Sequence, residues 1–371
     1  MGGKEQVSGR RHFYTFDALR FFAFFKVFLL HLPIVAFPWF NYLKAGGGIG
    51  VQFFFVLSGF LISYIILEEQ KRTGTLHLKN FFVRRVLRIW PLYYLMVLVA
   101  YITPYILNNV LHLSSSSTGY EPQLWVSLTF LENYKMMITG THANASPLSV
   151  MWSLCIEEHF YIIWGLALYF LKLKGAMRLI VVSLLVGVLS RVVYVWLGIP
   201  TSDVFTNIDL FALGALPAYY LIKYPERTEA FVDKISRKVK LLYVFSLLII
   251  VTICSQYNED KDFILLTSLL GVLFAGLILL TLGKKNALRV SDKTVLSKLG
   301  IYTYGLYLYH TLVINLLLQI FKKYDWGLEQ STTAVVFVVL ALLLTIVISM
   351  LSYHLFEKQF LKLKKYFRNV S

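Results

Sequence analysis

Charge is what this chain has least of. Only 15% of its 371 residues are Asp, Glu, Lys or Arg, where soluble domains carry about 25%. That shortfall argues against a soluble enzyme, which at this length would divide into roughly two domains with charged surface between the apolar stretches. Cysteine is nearly missing as well. Cys155 and Cys254 are the only two, which excludes a disulfide scaffold. A hydrophobic content of 57% excludes disorder and collagen-like repeats. No convincing internal repeat is found. A cleavable signal peptide needs a clean apolar centre, but the first apolar run follows two arginines and carries Asp17, Arg20, Lys26 and His31. No appended soluble domain is expected.

What the chain has instead is apolar runs of about 20 residues, the length that crosses a bilayer as a helix. These runs recur to the end of the sequence. They predict an all-α, polytopic membrane protein with about ten transmembrane helices, over 16–37, 46–67, 84–105, 149–171, 178–197, 204–222, 240–257, 262–282, 300–320 and 331–354. Segments that this count puts on one side hold most of the 36 basic residues. They include Lys4, Arg10 and Arg11 in the N-terminal tail, and Lys71, Arg72, Lys79, Arg84, Arg85 and Arg88 between the second and third helices. The other side holds Lys44, Lys135, Lys261, Lys322 and Lys323. By the positive-inside rule both termini are cytoplasmic, with tails over 1–15 and 357–371 flanking a membrane domain over 16–356. The net charge of +16 then reports topology and contact with anionic lipid rather than nucleic-acid binding. The long outer loop, 106–148, holds a serine run (Ser114 to Ser117) and an apolar patch, LWVSLTFLENY, from Leu124. That patch reads either as a short interfacial or re-entrant helix or as ordinary loop packing.

Function is sought among the polar groups inside the spans, because a charge at the bilayer centre costs about 2.5–3.5 kcal/mol and needs a partner or a task. Arg20 and His31 are eleven residues apart, so they share one helix face, about 16 Å apart along the axis. Asp17 lies one turn before Arg20 and can pair with it. The fourth helix carries Glu157 at about the depth of His31, roughly 9–12 Å beneath the outer boundary. A carboxylate that orients an imidazole makes a general base; a structural ion pair is the bland alternative. Glu158 is turned about 100° from Glu157. Arg85 and Arg88 share a face and suit phosphate binding, or else they only anchor the helix on the positive side. Arg191 and Asp209 fall at similar depths and read as a structural pair. His310 sits near the midplane, with Tyr307 and Tyr309 at hand. Cys155 reads as inert packing rather than as a nucleophile.

The motifs resemble those of membrane acyltransferase family 3. FDALRFFAFFKVFLLH (16–31) is similar to its first-helix signature, a basic residue and a histidine separated by ten residues. GVQFFFVLSGFLI (50–62) resembles its second-helix segment. RRVLRIWPLYY (84–94) matches R-x-x-R followed by proline. MWSLCIEEHFY (151–161) matches W-S-L-x-x-E-x-x-F-Y, and Trp152 opens that motif. YTYGLYLYH (302–310) and SYHLFEKQF (352–360) resemble its closing helices. The matches run in order along nearly the whole chain. Two positions depart from the pattern: Asn207 stands where the family often has arginine, and Gln359 where it usually has proline.

The resemblance implies a stand-alone membrane O-acyltransferase without the fused esterase-like domain of other members. It would move an acyl group, usually acetyl, from cytoplasmic acyl-coenzyme A (CoA) to a carbohydrate hydroxyl, with no metal. In that reading Arg85 and Arg88, helped by Arg20, hold the CoA phosphates. Glu157 orients His31, which deprotonates the acceptor, and Ser58 and Gly59 approach the oxyanion. A covalent acyl-histidine is an alternative. The implied location is the plasma membrane, as the bacterial inner membrane. A secondary transporter or flippase would use the same buried charges as a relay, but it would give Arg85 and Arg88 no specific task.

Overall fold

The computed structural model describes residues 11–110, 118–254, 256, 260–285 and 287–367. The serine run from Ser114 to Ser117, together with Lys4 and Arg10, lies outside the described residues. The elements, in order, are α1 Phe16–His31, α2 Pro38–Lys44, α3 Gly48–Thr73, α4 Leu78–Asn109, α5 Leu124–Leu128, α6 Glu132–Thr139, α7 Leu148–Leu197 and α8 Val204–Lys223. They continue with α9 Pro225–Lys234, α10 Arg237–Cys254, α11 Asp260–Leu280, α12 Val295–Ile301, α13 Thr303–Lys323, α14 Ser331–Ser352 and α15 Lys358–Leu363. Among the described residues there is no strand, and one isolated bridge joins Tyr120 to Ala143.

Each expected apolar run is helical over most of its length. Among the described residues, six helical stretches are long and apolar enough to cross a membrane. The protein is a multi-pass membrane protein of all-α class. The runs over 149–171 and 178–197 form one 50-residue element, α7, bent at Lys172, whose φ of 54° and ψ of −171° are not helical. The first helix is shorter than expected. It stops at His31 and not at residue 37, because Leu32 precedes Pro33 and takes an extended conformation (φ −68°, ψ 129°), the conformation that a following proline favours. His31 is therefore the last residue of α1, not six residues inside its end.

Residues 11–15 pack onto the body: Arg11 pairs with Glu229 and the Thr15 hydroxyl donates to the Leu288 carbonyl at 3.1 Å. After α14 the chain stays helical through a π-turn, Tyr353–Glu357, into α15. Arg84 on α4 donates to the Phe367 carbonyl at 2.7 Å, so the expected boundary at 356 falls inside a continuous helical run.

Burial divides the interior into two cores. The larger joins α3, α4, α7, α8 and α11. Its centre is a run of stacked rings in which Phe211 lies 3.9 Å from Phe160 and 4.9 Å from Phe55. Here α3 and α8 approach backbone to backbone. A Cβ on Gly59 would lie 2.0 Å from the Phe211 carbonyl oxygen, and one on Gly214 would lie 1.8 Å from that of Val56; only glycine fits either place. The smaller core joins α1, α2, α13 and α14. α1 serves both, with Ala23 and Val27 facing the first and Phe21, Phe24 and Phe28 facing the second. The second half of α7 is tied to α8 by the expected pair: Arg191 grips Asp209 through two bonds of 2.7 and 2.6 Å, both side chains fully buried. Ser268 of α11 joins the cluster, accepting from Arg191 at 2.6 Å.

Candidate active site

A cavity of about 230 Å³ is lined by residues of α1, α3, α4, α7, α12 and α13, several of them members of the larger core. Arg20, Arg85 and Arg88 line it, as do Ser58, Glu157 and Tyr161. Three guanidiniums thus converge on one space with a single carboxylate among its lining side chains. Arg20 is also paired with Asp17, three residues before it on α1. Arg85 packs its guanidinium over the Phe81 ring at 5.8 Å. Arg84 points elsewhere, to Glu69 at 3.1 Å. The volume is below the roughly 300–1,000 Å³ of pockets that enclose a whole drug-sized ligand. It suits a phosphate or a narrow chain rather than an entire nucleotide.

Glu157 is held by two donors: the Ser58 hydroxyl at 3.0 Å and the Tyr161 phenol at 2.9 Å. Tyr161 was not picked out in the sequence, although its place four residues after Glu157 puts it on the same helix face. Glu158 faces away, as its rotation requires, and accepts from the Trp90 indole at 3.1 Å.

His31 and Glu157 are not brought together, because no hydrogen bond or ion pair joins them among the described residues. His31 meets His310 instead. The His310 Nε2 lies 3.3 Å from the His31 Nδ1, with ring centroids 4.9 Å apart. His31 is half-buried, while His310 is fully buried. Neither lines the cavity. Between them and it stands Tyr307, one turn before His310. Its hydroxyl lies 3.0 Å from the Val150 carbonyl and 2.7 Å from the Ser153 hydroxyl, within hydrogen-bond distance of both.

Gly59 is pressed against the α8 backbone. The Ser58 hydroxyl reaches the cavity but is committed to Glu157. Trp152 is partly buried against the larger core and lies outside the cavity lining. Cys155 is buried and free, 3.9 Å from the Tyr93 hydroxyl. Among the described residues no three His, Cys, Asp or Glu side chains group as metal ligands.

The segment between α4 and α7 is ordered by Glu132, which is 1% exposed and accepts from both Tyr120 and Ser127. Burial raises its carboxyl above the usual range despite these donors. The apolar patch from Leu124 forms the short helices α5 and α6.

Comparison with known proteins agrees with the motifs. The chain is 31% identical to the peptidoglycan O-acetyltransferase OatA of Listeria monocytogenes over 326 residues, 83% of this chain and 50% of that protein. It is 29% identical to the provisionally named peptidoglycan O-acetyltransferase YrhL of Bacillus subtilis over 359 residues, 92% of this chain and 54% of that protein. The chain spans about half the length of these curated relatives. No solved structure matches. The model of the acyltransferase domain matches residues 13–354, and the chain therefore belongs to this acyltransferase family.

Proposed function

We propose that this protein transfers an acyl group, acetyl by default, from cytoplasmic acyl-CoA to a hydroxyl of a cell-envelope carbohydrate, as an enzyme of the plasma membrane with cytoplasmic termini. The observation that carries the reading is the convergence of Arg20, Arg85 and Arg88 on one cavity. Guanidinium forks match phosphate oxygens, so these residues would hold the phosphates of the donor. The cavity runs from them toward Tyr307 and the histidine pair beyond, a path that suits an extended thioester arm. His31, half-buried at the end of α1, then takes the proton of the acceptor hydroxyl. The alkoxide attacks the thioester carbon, the C–S bond breaks, and the departing thiolate receives the proton from the imidazolium. In this reading Glu157 balances the cavity cations and fixes Ser58 and Tyr161 rather than orienting His31. The names of the relatives make peptidoglycan the first acceptor to test.

The test uses the full chain in nanodiscs. Calorimetry compares acetyl-CoA binding by wild type, by Arg85→Ala with Arg88→Ala, and by His31→Ala, and transfer is assayed with glycan acceptors. Binding lost in the arginine variant and kept in His31→Ala, with transfer abolished in both, is the expected result. A folded wild type that binds no acyl-CoA would overturn the reading and favour a transporter.

A further inference from the structure

The two histidines leave only one consistent arrangement of protons when both are neutral. Carbonyl oxygens only accept hydrogen bonds. The His310 Nδ1 lies 2.6 Å from the Tyr307 carbonyl, so it carries a hydrogen, and the His310 Nε2 of the neutral ring holds a lone pair. The His31 Nδ1 lies 2.9 Å from the Val27 carbonyl, so it too carries a hydrogen. That hydrogen is shared between the Val27 oxygen and the His310 Nε2 at 3.3 Å. What remains is the His31 Nε2, its lone pair uncommitted among the described residues.

We infer that His310 is the positioning residue for His31: it holds the imidazole as the Nδ1–H tautomer and turns Nε2 out as the base. The inference deepens the proposed function and rests on His31 being that base. It assigns to a neutral histidine the task that a carboxylate performs in hydrolase triads. When the His31 Nε2 takes the acceptor proton, the Nδ1–H stays on the Val27 oxygen and His310 Nε2, and the positive charge is shared along that contact. The proton then leaves from Nε2 to the departing thiolate, which restores the starting tautomer. His310 is itself fixed, because its Nδ1–H is tied to Tyr307 within its own helix, and Phe24 packs edge-on against its ring at 5.8 Å. A merely space-filling residue here would need neither nitrogen.

The test measures acetyl transfer and acetyl-CoA binding by the full chain in nanodiscs, together with ¹⁵N-histidine NMR. The His31 signal is identified by its loss in His31→Ala. His310→Leu is expected to lower kcat by about 10²–10⁴-fold, with the KM for acetyl-CoA within about threefold of wild type and a mixed His31 tautomer. His310→Gln, whose amide oxygen can accept from Nδ1–H, is expected to stay within about tenfold of wild type. Normal turnover by His310→Leu in a chain that His31→Ala silences would overturn this inference alone. Full transfer by His31→Ala would instead overturn the base assignment beneath it. The tautomer is also read in the unmodified chain, so a wild-type His31 protonated on Nε2 and bare on Nδ1 sinks the inference even if no His310 variant folds.

Discussion

Ser58 on α3 donates its hydroxyl to Glu157 on α7 across 3.0 Å, tying two walls of the cavity at the one carboxylate that lines it. Replacing Ser58 by alanine leaves Glu157 with Tyr161 as its only hydrogen-bond donor among the described residues. The expected loss is about 1–3 kcal/mol, the range for a buried polar group deprived of a partner. Thermal unfolding in nanodiscs measures it. Tyr161→Phe should cost a similar amount. Because both donors serve one carboxylate, the double variant should depart from the sum of the single effects.

Three neighbouring arginines on α4 are expected to separate into two phenotypes. Arg85→Ala and Arg88→Ala should each weaken acetyl-CoA binding by about tenfold or more, the equivalent of one charge-assisted hydrogen bond. Arg84→Ala should leave that binding unchanged. It should lower the unfolding temperature instead, because Arg84 holds the buried Glu69 and the Phe367 carbonyl. Calorimetry and thermal melts on the three variants read the two effects separately.

Arg191 and Asp209 form a fully buried pair. Arg191→Leu alone strands a carboxylate and should destabilise the fold by about 3–5 kcal/mol. Arg191→Leu combined with Asp209→Leu removes both charges and should recover much of that loss. Chemical denaturation of the single and double variants tests this, and a double variant no better than the single would refute it.

Glu132 gives a pH signature in the segment between α4 and α7. Its folded pKa is raised, burial being the main cause, so the folded state holds its proton longer than the unfolded state does. The contribution to stability is fully present below the ordinary value of 4.5. It is lost as pH rises from there through the raised folded value. Melting temperature followed upward from pH 4.5 should therefore fall more steeply for wild type than for Glu132→Gln, which has no proton to lose. Parallel curves for the two proteins would contradict the assignment.

The helices were legible in the sequence because a run of about 20 apolar residues has few alternatives. The eleven-residue spacing of Arg20 and His31 was legible too, since helical geometry alone sets that relationship. The stop after His31 was written in Pro33 but is a local signal, easily outweighed by the apolar residues on either side of it. The contact between His31 and His310 had no local signal at all. It joins residues 279 positions apart and depends on α1 lying against α13, which hydropathy does not encode. Gly59 shows the same gap. Beside Ser58 in a motif it reads as part of a reaction centre, and only the nearness of Phe211 on α8 shows it to be a packing residue.

Because one helix serves two interiors, α1 has no freedom of register. A residue inserted between Arg20 and His31 would rotate everything beyond it by about 100°. With the insertion just after Arg20, Phe24 and Phe28 would leave the smaller core as Val27 left the larger one. The imidazole would turn away from His310 in the same movement. Sequence length between the arginine and the histidine is thus held at both faces of the helix at once, so the chemical spacing is inherited from the packing.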